Sequence, residues 1–315
     1  MKLYPMVLTP FVSETVWGGR RLIDEYSVVT DKRNAAEAWV MSAHKNGSST
    51  VANGEFAGRT LREVYLEHPE LGGKNCAGFS DFPVLIKFID AAADLSVQVH
   101  PDDAYCLKKG SGAGKTESWY ILDCEPGAYL LLGFEKDITR EQFRQSITDG
   151  TLTDYVKKVP VKKGDFFFIE SGTLHAICKG ILLAEVQQNS DTTYRIYDYG
   201  RLGFDGKPRE LHVEDAVNVT HTGVYKNPCT PKKDGNVTNL VACPFFTERV
   251  LDINGSFDGT ADEKSFVSLL ILEGSGSLEC AGETLEFSKG GSIFIPANCG
   301  EYKINGEAKI LETRV

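Results

Sequence analysis

A recurring pattern of short β-branched and aromatic runs, each cut off by glycine, asparagine, aspartate or proline, constrains this chain more than any other feature. Residues 82–89, 95–99, 118–122, 165–169, 265–272 and 292–295 are runs of this kind. Side chains that branch at Cβ or carry rings fit the pleated, half-buried surface of a sheet. The 31 glycines supply the turns that a sandwich or barrel requires. The pattern predicts an all-β fold. Helical spacing occurs only locally. Thr60 can cap a helix running to Leu66, with Glu63 at the reciprocal position three residues on. A second helix opens at Thr139 and closes near Gly150.

The 315 residues suggest two domains, at roughly 150 residues each. The polar stretch 226–237, with Pro228, Pro231 and Gly235, reads as the linker, and the boundary is placed after residue 228. A net charge of −10 excludes a general binder of nucleic acid or anionic membranes, because either needs a basic surface. It leaves room for a small anion, which needs only two or three local cations. No run approaches the ~20 apolar residues that cross a bilayer. The opening residues 1–6 lack the apolar run and cleavage site of a signal peptide. Eight scattered cysteines form no CxxC pair and read as free thiols in a reducing cytoplasm.

Comparison of the two halves exposes a repeat. Residues 163–175 align with 289–301: each copy is a Lys-Gly turn, an apolar strand, and a second turn into another strand. The spacing resembles the second motif of the cupin jelly roll, G-x5-P-x-G-x2-H. In that superfamily the histidine points into the barrel and binds metal. The first copy keeps it as His175; the second has Glu301 there. The resemblance implies two cupin-like jelly-roll barrels with a few short helices inserted in the first. Residues 1–228 form the metal-binding barrel, and 229–315 a degenerate one without metal. Glu170 stands where the motif has proline, which loosens the turn because proline presets φ.

Residues 96–100 carry the chemistry. Period-two alternation puts Ser96, Gln98 and His100 on one strand face and Val97 and Val99 on the other. With the valines in an apolar layer, the polar triplet faces a cavity, where it needs partners. Glu117 opens the 118–122 strand and His175 follows the 165–169 strand. Gln98, His100, Glu117 and His175 offer two imidazole nitrogens and two oxygens, a set suited to zinc. Residue types alone leave a second reading open, in which these four are core or capping groups.

The successive segments 98–103, 114–117, 171–176 and 189–195 resemble the motifs of type I mannose-6-phosphate isomerases. Residues 16–19 and 36–44 resemble the short bacterial branch of that family. The resemblance implies one zinc per chain on Gln98, His100, Glu117 and His175. It also implies a zinc-dependent aldose–ketose isomerase of the cytoplasm, interconverting mannose 6-phosphate and fructose 6-phosphate through a cis-enediol. Arg195 matches the family's catalytic arginine, Glu185 its proposed carboxylate base, and Lys115 an active-site lysine. Lys115, Arg195 and Ser96 are the expected substrate contacts, Lys115 through phosphate or hydroxyl. Glu185 and Arg195 are ten positions apart and share strand parity. Burial beside an anionic substrate is expected to raise the Glu185 pKa toward neutrality.

Two rivals stand beside this reading: an iron cupin oxygenase, and a non-catalytic sugar-phosphate-binding cupin. An oxygenase site is typically histidine-rich, and Gln98 is a poor substitute for imidazole. A binding module has no need of a base beside a Lewis acid. The expected partner is a small sugar phosphate, with no nucleic acid and no membrane. The glycine-rich stretch 110–116 lacks the P-loop spacing. His44, His68, His212 and His221 lack paired spacing, and Lys157, Lys158, Lys162 and Lys163 read as a solvated face.

Overall fold

Each apolar run singled out above forms a strand: Val84–Ala91, Val97–Val99, Glu117–Cys124, Phe166–Ile169, Val267–Cys280 and Ser292–Ile295. The computed structural model describes residues 2–315. Strands hold 43% of the chain and helices 15%, so the architecture is mostly β rather than all-β. Both helix starts close as capping boxes. Thr60 accepts from the Glu63 amide at 3.2 Å, and Thr139 from that of Gln142 at 3.1 Å. Among the described residues no helix is long and apolar enough to cross a membrane.

Two sheets face each other in the first part of the chain. One has the order Phe166–Ile169, Glu117–Cys124, Ile181–Gln188, Val84–Ala91, Glu37–Met41, Phe11–Ser13. The other has the order Val156–Pro160, Tyr129–Phe134, His175–Ile177, Val97–Val99, Tyr194–Tyr197. Trp119, Ile121 and Leu183 of the six-stranded sheet share an apolar layer with Leu130, Leu132 and Ile177 of the five-stranded sheet. Val97 and Val99 point the other way, toward Phe143, Ala216 and Val217 of helices Arg140–Thr148 and Val213–Val219. Burying valines on that side turns Gln98 inward, by strand alternation.

A nine-stranded sheet carries the second part of the chain, including the long pair Thr247–Ala261 and Gly300–Arg314. Strand Met6–Thr9 joins it, Met6 pairing with Phe294. So does Lys232–Asp234, inside the stretch read as a linker. Among the described residues no sheet closes on itself. The repeat is visible in the backbone. Gly164 and Gly290 have φ of 87° and 88°; Gly172 and Asn298 have 85° and 66°. A Cβ at Gly172 would sit 2.7 Å from His221 Nε2 and 2.9 Å from the Val219 carbonyl. The turn closes through Thr173 N–H donating to the Glu170 carbonyl at 3.0 Å, as Cys299 N–H donates to the Pro296 carbonyl at 3.2 Å in the other copy. Glu301, at the position of His175, is exposed.

The outer face of the six-stranded sheet packs on the nine-stranded sheet through Val84, Ile86, Phe88, Phe266, Phe294 and Leu311. Burying each of the two phenylalanines of the nine-stranded side contributes about 1.5–3 kcal/mol. Glu248 is buried in this junction, its carboxyl bonded to the Ser118 hydroxyl. Burial pushes its pKa from 4.5 up to about 8. Between those values the folded chain holds a proton that the unfolded chain has lost. Stability therefore falls as pH rises through this window, by up to about 1.4 kcal/mol per pH unit. Glu248→Gln keeps the hydrogen bond and removes the titration. Melting temperatures from pH 4.5 to 8 should decline less in the variant; parallel declines would show that Glu248 does not titrate there.

Candidate active site

Gln98 and His175 are register partners on the inner face of the five-stranded sheet, and Glu117 faces them from the six-stranded sheet. His100 follows the Val97–Val99 strand. His175 Nε2 lies 3.5 Å from Glu117 Oε1 and 3.3 Å from Gln98 Nε2. His100 Nε2 lies 3.5 Å from Glu117 Oε2. His100, Glu117 and His175 are each 1% exposed, so solvent cannot satisfy their donor atoms.

Both imidazoles are oriented from behind. His100 Nδ1 sits 2.9 Å from the Thr192 carbonyl, and His175 Nδ1 2.8 Å from that of Thr173. A carbonyl only accepts, so each Nδ1 carries the proton and each Nε2 presents a lone pair to the site. Burial holds both rings neutral: His175 is pushed down to about 4, and His100 well below its usual value. Glu117 Oε1 is buried with no hydrogen-bond donor and faces the His175 lone pair. Two acceptors aimed at one another in a dry site call for a cation. Ligands held about 2.1 Å from a tetrahedral zinc lie about 3.4 Å apart, close to the spacings found here. Half a turn of the Gln98 amide would bring its oxygen in. The Ser96 hydroxyl, 3.2 Å from Gln98 Oε1, can bond either amide atom. The donor set fits a divalent metal.

Lys115 approaches the same donors. Its ammonium contacts Glu117 Oε2 and lies 3.1 Å from His100 Nε2 and 3.7 Å from Glu185 Oε1. It is buried, with no solvated loop character. Glu185 accepts from Trp119 Nε1 at 2.9 Å and pairs with Lys87 at 3.1 Å. Trp119 and Lys87 are its cross-strand neighbours on either side. In the free protein the Glu185 pKa is lowered, opposite in direction to the rise expected beside an anionic substrate. Burial alone would raise it, but Lys115 and Lys87 outweigh burial and hold the carboxyl well below its usual value. The shared-parity expectation for Glu185 and Arg195 fails: they lie on different sheets, Ile181–Gln188 and Tyr194–Tyr197. Both nonetheless line one cavity of about 170 Å³, together with Ser96, Gln98, Lys115 and Lys87.

Lys87 escaped the sequence reading. The signal was present: a single lysine in the otherwise apolar stretch 84–89 must be paired once the strand is buried. Its partners are Glu185 and, at 3.6 Å, Glu37. Arg209, also on the cavity, was missed because it lies in a loop without periodicity. The glycine-rich stretch 110–114 follows the C-terminus of helix Asp103–Lys109, with Gly110 left-handed at the cap. That end of a helix repels phosphate. Lys162 pairs with Asp165 and Lys163 with Glu273 at the surface.

A mostly β scaffold with a buried His-Glu-His cluster beside two lysines and an arginine defines a cupin-type enzyme site. Residues 6–120 match the catalytic domain of type I phosphomannose isomerase, and residues 236–315 the cupin domain of mannose-6-phosphate isomerase. The chain is 40% identical over 316 residues to "Probable mannose-6-phosphate isomerase GmuF" of Bacillus subtilis, covering 98% of each. It is 38% identical over 310 residues to the mannose-6-phosphate isomerase of Streptococcus mutans, covering 98% of this chain and 97% of that one. The crystal structure of the mannose 6-phosphate isomerase from Bacillus subtilis superposes with a TM-score of 0.90, at 36% identity and 99% coverage of both chains. The chain belongs to the type I phosphomannose isomerase family, a family of aldose–ketose isomerases.

Proposed function

We propose that this chain interconverts D-mannose 6-phosphate and D-fructose 6-phosphate through a cis-enediol, with one zinc ion per chain as cofactor. Gln98, His100, Glu117 and His175 would hold the ion. The observation that carries this reading is the convergence of two imidazole lone pairs and an unpartnered buried carboxylate oxygen on one another, beside a cavity lined by Gln98, Lys115, Glu185 and Arg195. Zinc, when bound, supplies Lewis acidity toward the sugar's hydroxyl and carbonyl oxygens.

Glu185 is the base in this reading. Lys87 and Lys115 keep it ionised at neutral pH, so its carboxylate takes a proton from the carbon beside the carbonyl. It then returns that proton to the neighbouring carbon, while the hydroxyl proton passes from one enediol oxygen to the other, so that carbonyl and hydroxyl exchange places. Lys115 and Arg195 offset the negative charge that develops on the enediol oxygens. Ser96 orients Gln98 through its 3.2 Å bond. Two jelly-roll halves divided near residue 228, with strand Met6–Thr9 crossing to the second sheet, and a cytoplasmic setting complete the proposal.

A coupled assay converting mannose 6-phosphate to glucose 6-phosphate tests it, run with metal analysis of the same protein. Turnover that disappears on chelation and returns with zinc is expected. Sugar-phosphate binding without turnover would favour the non-catalytic cupin. Oxygen uptake on adding ferrous iron, without isomerisation, would favour the oxygenase.

A further inference from the structure

The cavity has two electrostatic ends. At the donor end, Lys87 and Lys115 face Glu37, Glu117 and Glu185, so carboxylates outnumber lysines. At the other end Arg195 and Arg209 line the wall, and Arg209 shares the carboxylate of Asp198, which is 6% exposed, with Arg201. An excess of guanidinium charge in a half-buried place attracts a dianion, and the guanidinium fork matches the phosphate edge. Lys115 is ill-suited to that role because it sits at the carboxylate-rich end, between Glu117 and Glu185.

We infer that Arg209, aimed by Asp198, is the residue that grips the substrate's phosphate, beside Arg195 at the mouth of the cavity. This rests on the sugar-phosphate reading above. Arg209 donates Nε to Asp198 Oδ2 at 2.7 Å and one terminal nitrogen to Oδ1, which leaves the other terminal nitrogen free. The cavity wall includes both Arg209 and Arg195. The two arginines are tied together by Arg195 donating to the Glu210 carbonyl at 2.9 Å, while Arg195 Nε is buried without a partner. Burial and then repulsion from Arg209 make the Arg195 guanidinium less basic than usual. A dianion on the free edge of Arg209 relieves that repulsion. Asp198 also holds Arg201 at 2.6 Å, so it stays paired when Arg209 is replaced and the loop keeps its anchor. Asp198 is a positioning residue: it fixes which edge of the fork faces the cavity.

The test is Arg209→Met in the zinc-loaded full chain, read by steady-state kinetics and by calorimetric binding of inorganic phosphate. KM for mannose 6-phosphate and Kd for phosphate should both rise about 10- to 100-fold, the usual size of a lost charge-assisted hydrogen bond. kcat should fall far less. Asp198→Asn should raise KM in the same direction by a smaller factor, and Arg209→Lys should recover part of the phosphate affinity because the charge returns. Unchanged phosphate affinity in folded Arg209→Met, judged by its melting curve, overturns the assignment. So does a loss confined to kcat. Were the parent chain inactive on mannose 6-phosphate yet able to bind phosphate through Arg209, the isomerase reading would fail while this assignment stood.

Discussion

Replacement of His100 by alanine is expected to remove the bound metal and to lower kcat/KM for mannose 6-phosphate by at least about 10³-fold. Losing only the outer partner of a metal ligand typically costs 10- to 100-fold in affinity or activity, and removing the ligand itself costs more. His100 has no other evident task. It is buried, its Nδ1 proton is held by the Thr192 carbonyl, and its Nε2 lone pair faces Glu117 and Lys115. Metal content of dialysed protein and the coupled assay measure both effects. Chelation should bring the parent protein down to the level of the variant, and added zinc should restore only the parent. A His100→Ala protein with full zinc occupancy would remove the ligand role.

Arg195→Ala is expected to keep its metal and to lower kcat by on the order of 10²–10³, the usual size for losing one preorganised charge stabiliser. Arg195 is the register partner of Gln98 on the adjacent strand, so its side chain enters the same cavity as the donor set. An effect mainly on KM would instead make Arg195 a phosphate ligand. The split between the two parameters thus separates Arg195 from Arg209, although the two guanidiniums sit side by side.

Much of the site was legible because alternation is local. Two valines flanking Gln98 dictate which way it points once any apolar layer covers them, and the structure supplies that layer through Phe143, Ala216 and Val217. The paired left-handed positions Gly164 and Gly290, Gly172 and Asn298 were visible as a spacing before any sheet was known. The parity argument for Glu185 and Arg195 broke down because the chain leaves the strand after Gln188 and re-enters on the opposite sheet at Tyr194. Parity holds only within a strand. The acidity of Glu185 in the free protein was not legible for a related reason: Lys87 lies 98 positions away in sequence and 3.1 Å away in space.

By itself, then, the amino-acid order settled the strand faces, the helix caps, the turns that need positive φ and the types of donor atom available, since each depends on neighbours a few residues apart. Only the folded chain decided which donors meet, that Glu185 is flanked by two lysines, and that two arginines share one aspartate. Those outcomes depend on distance and burial between segments far apart in the chain. A Coulomb interaction follows separation in space and the dielectric around it, and neither is a property of sequence spacing.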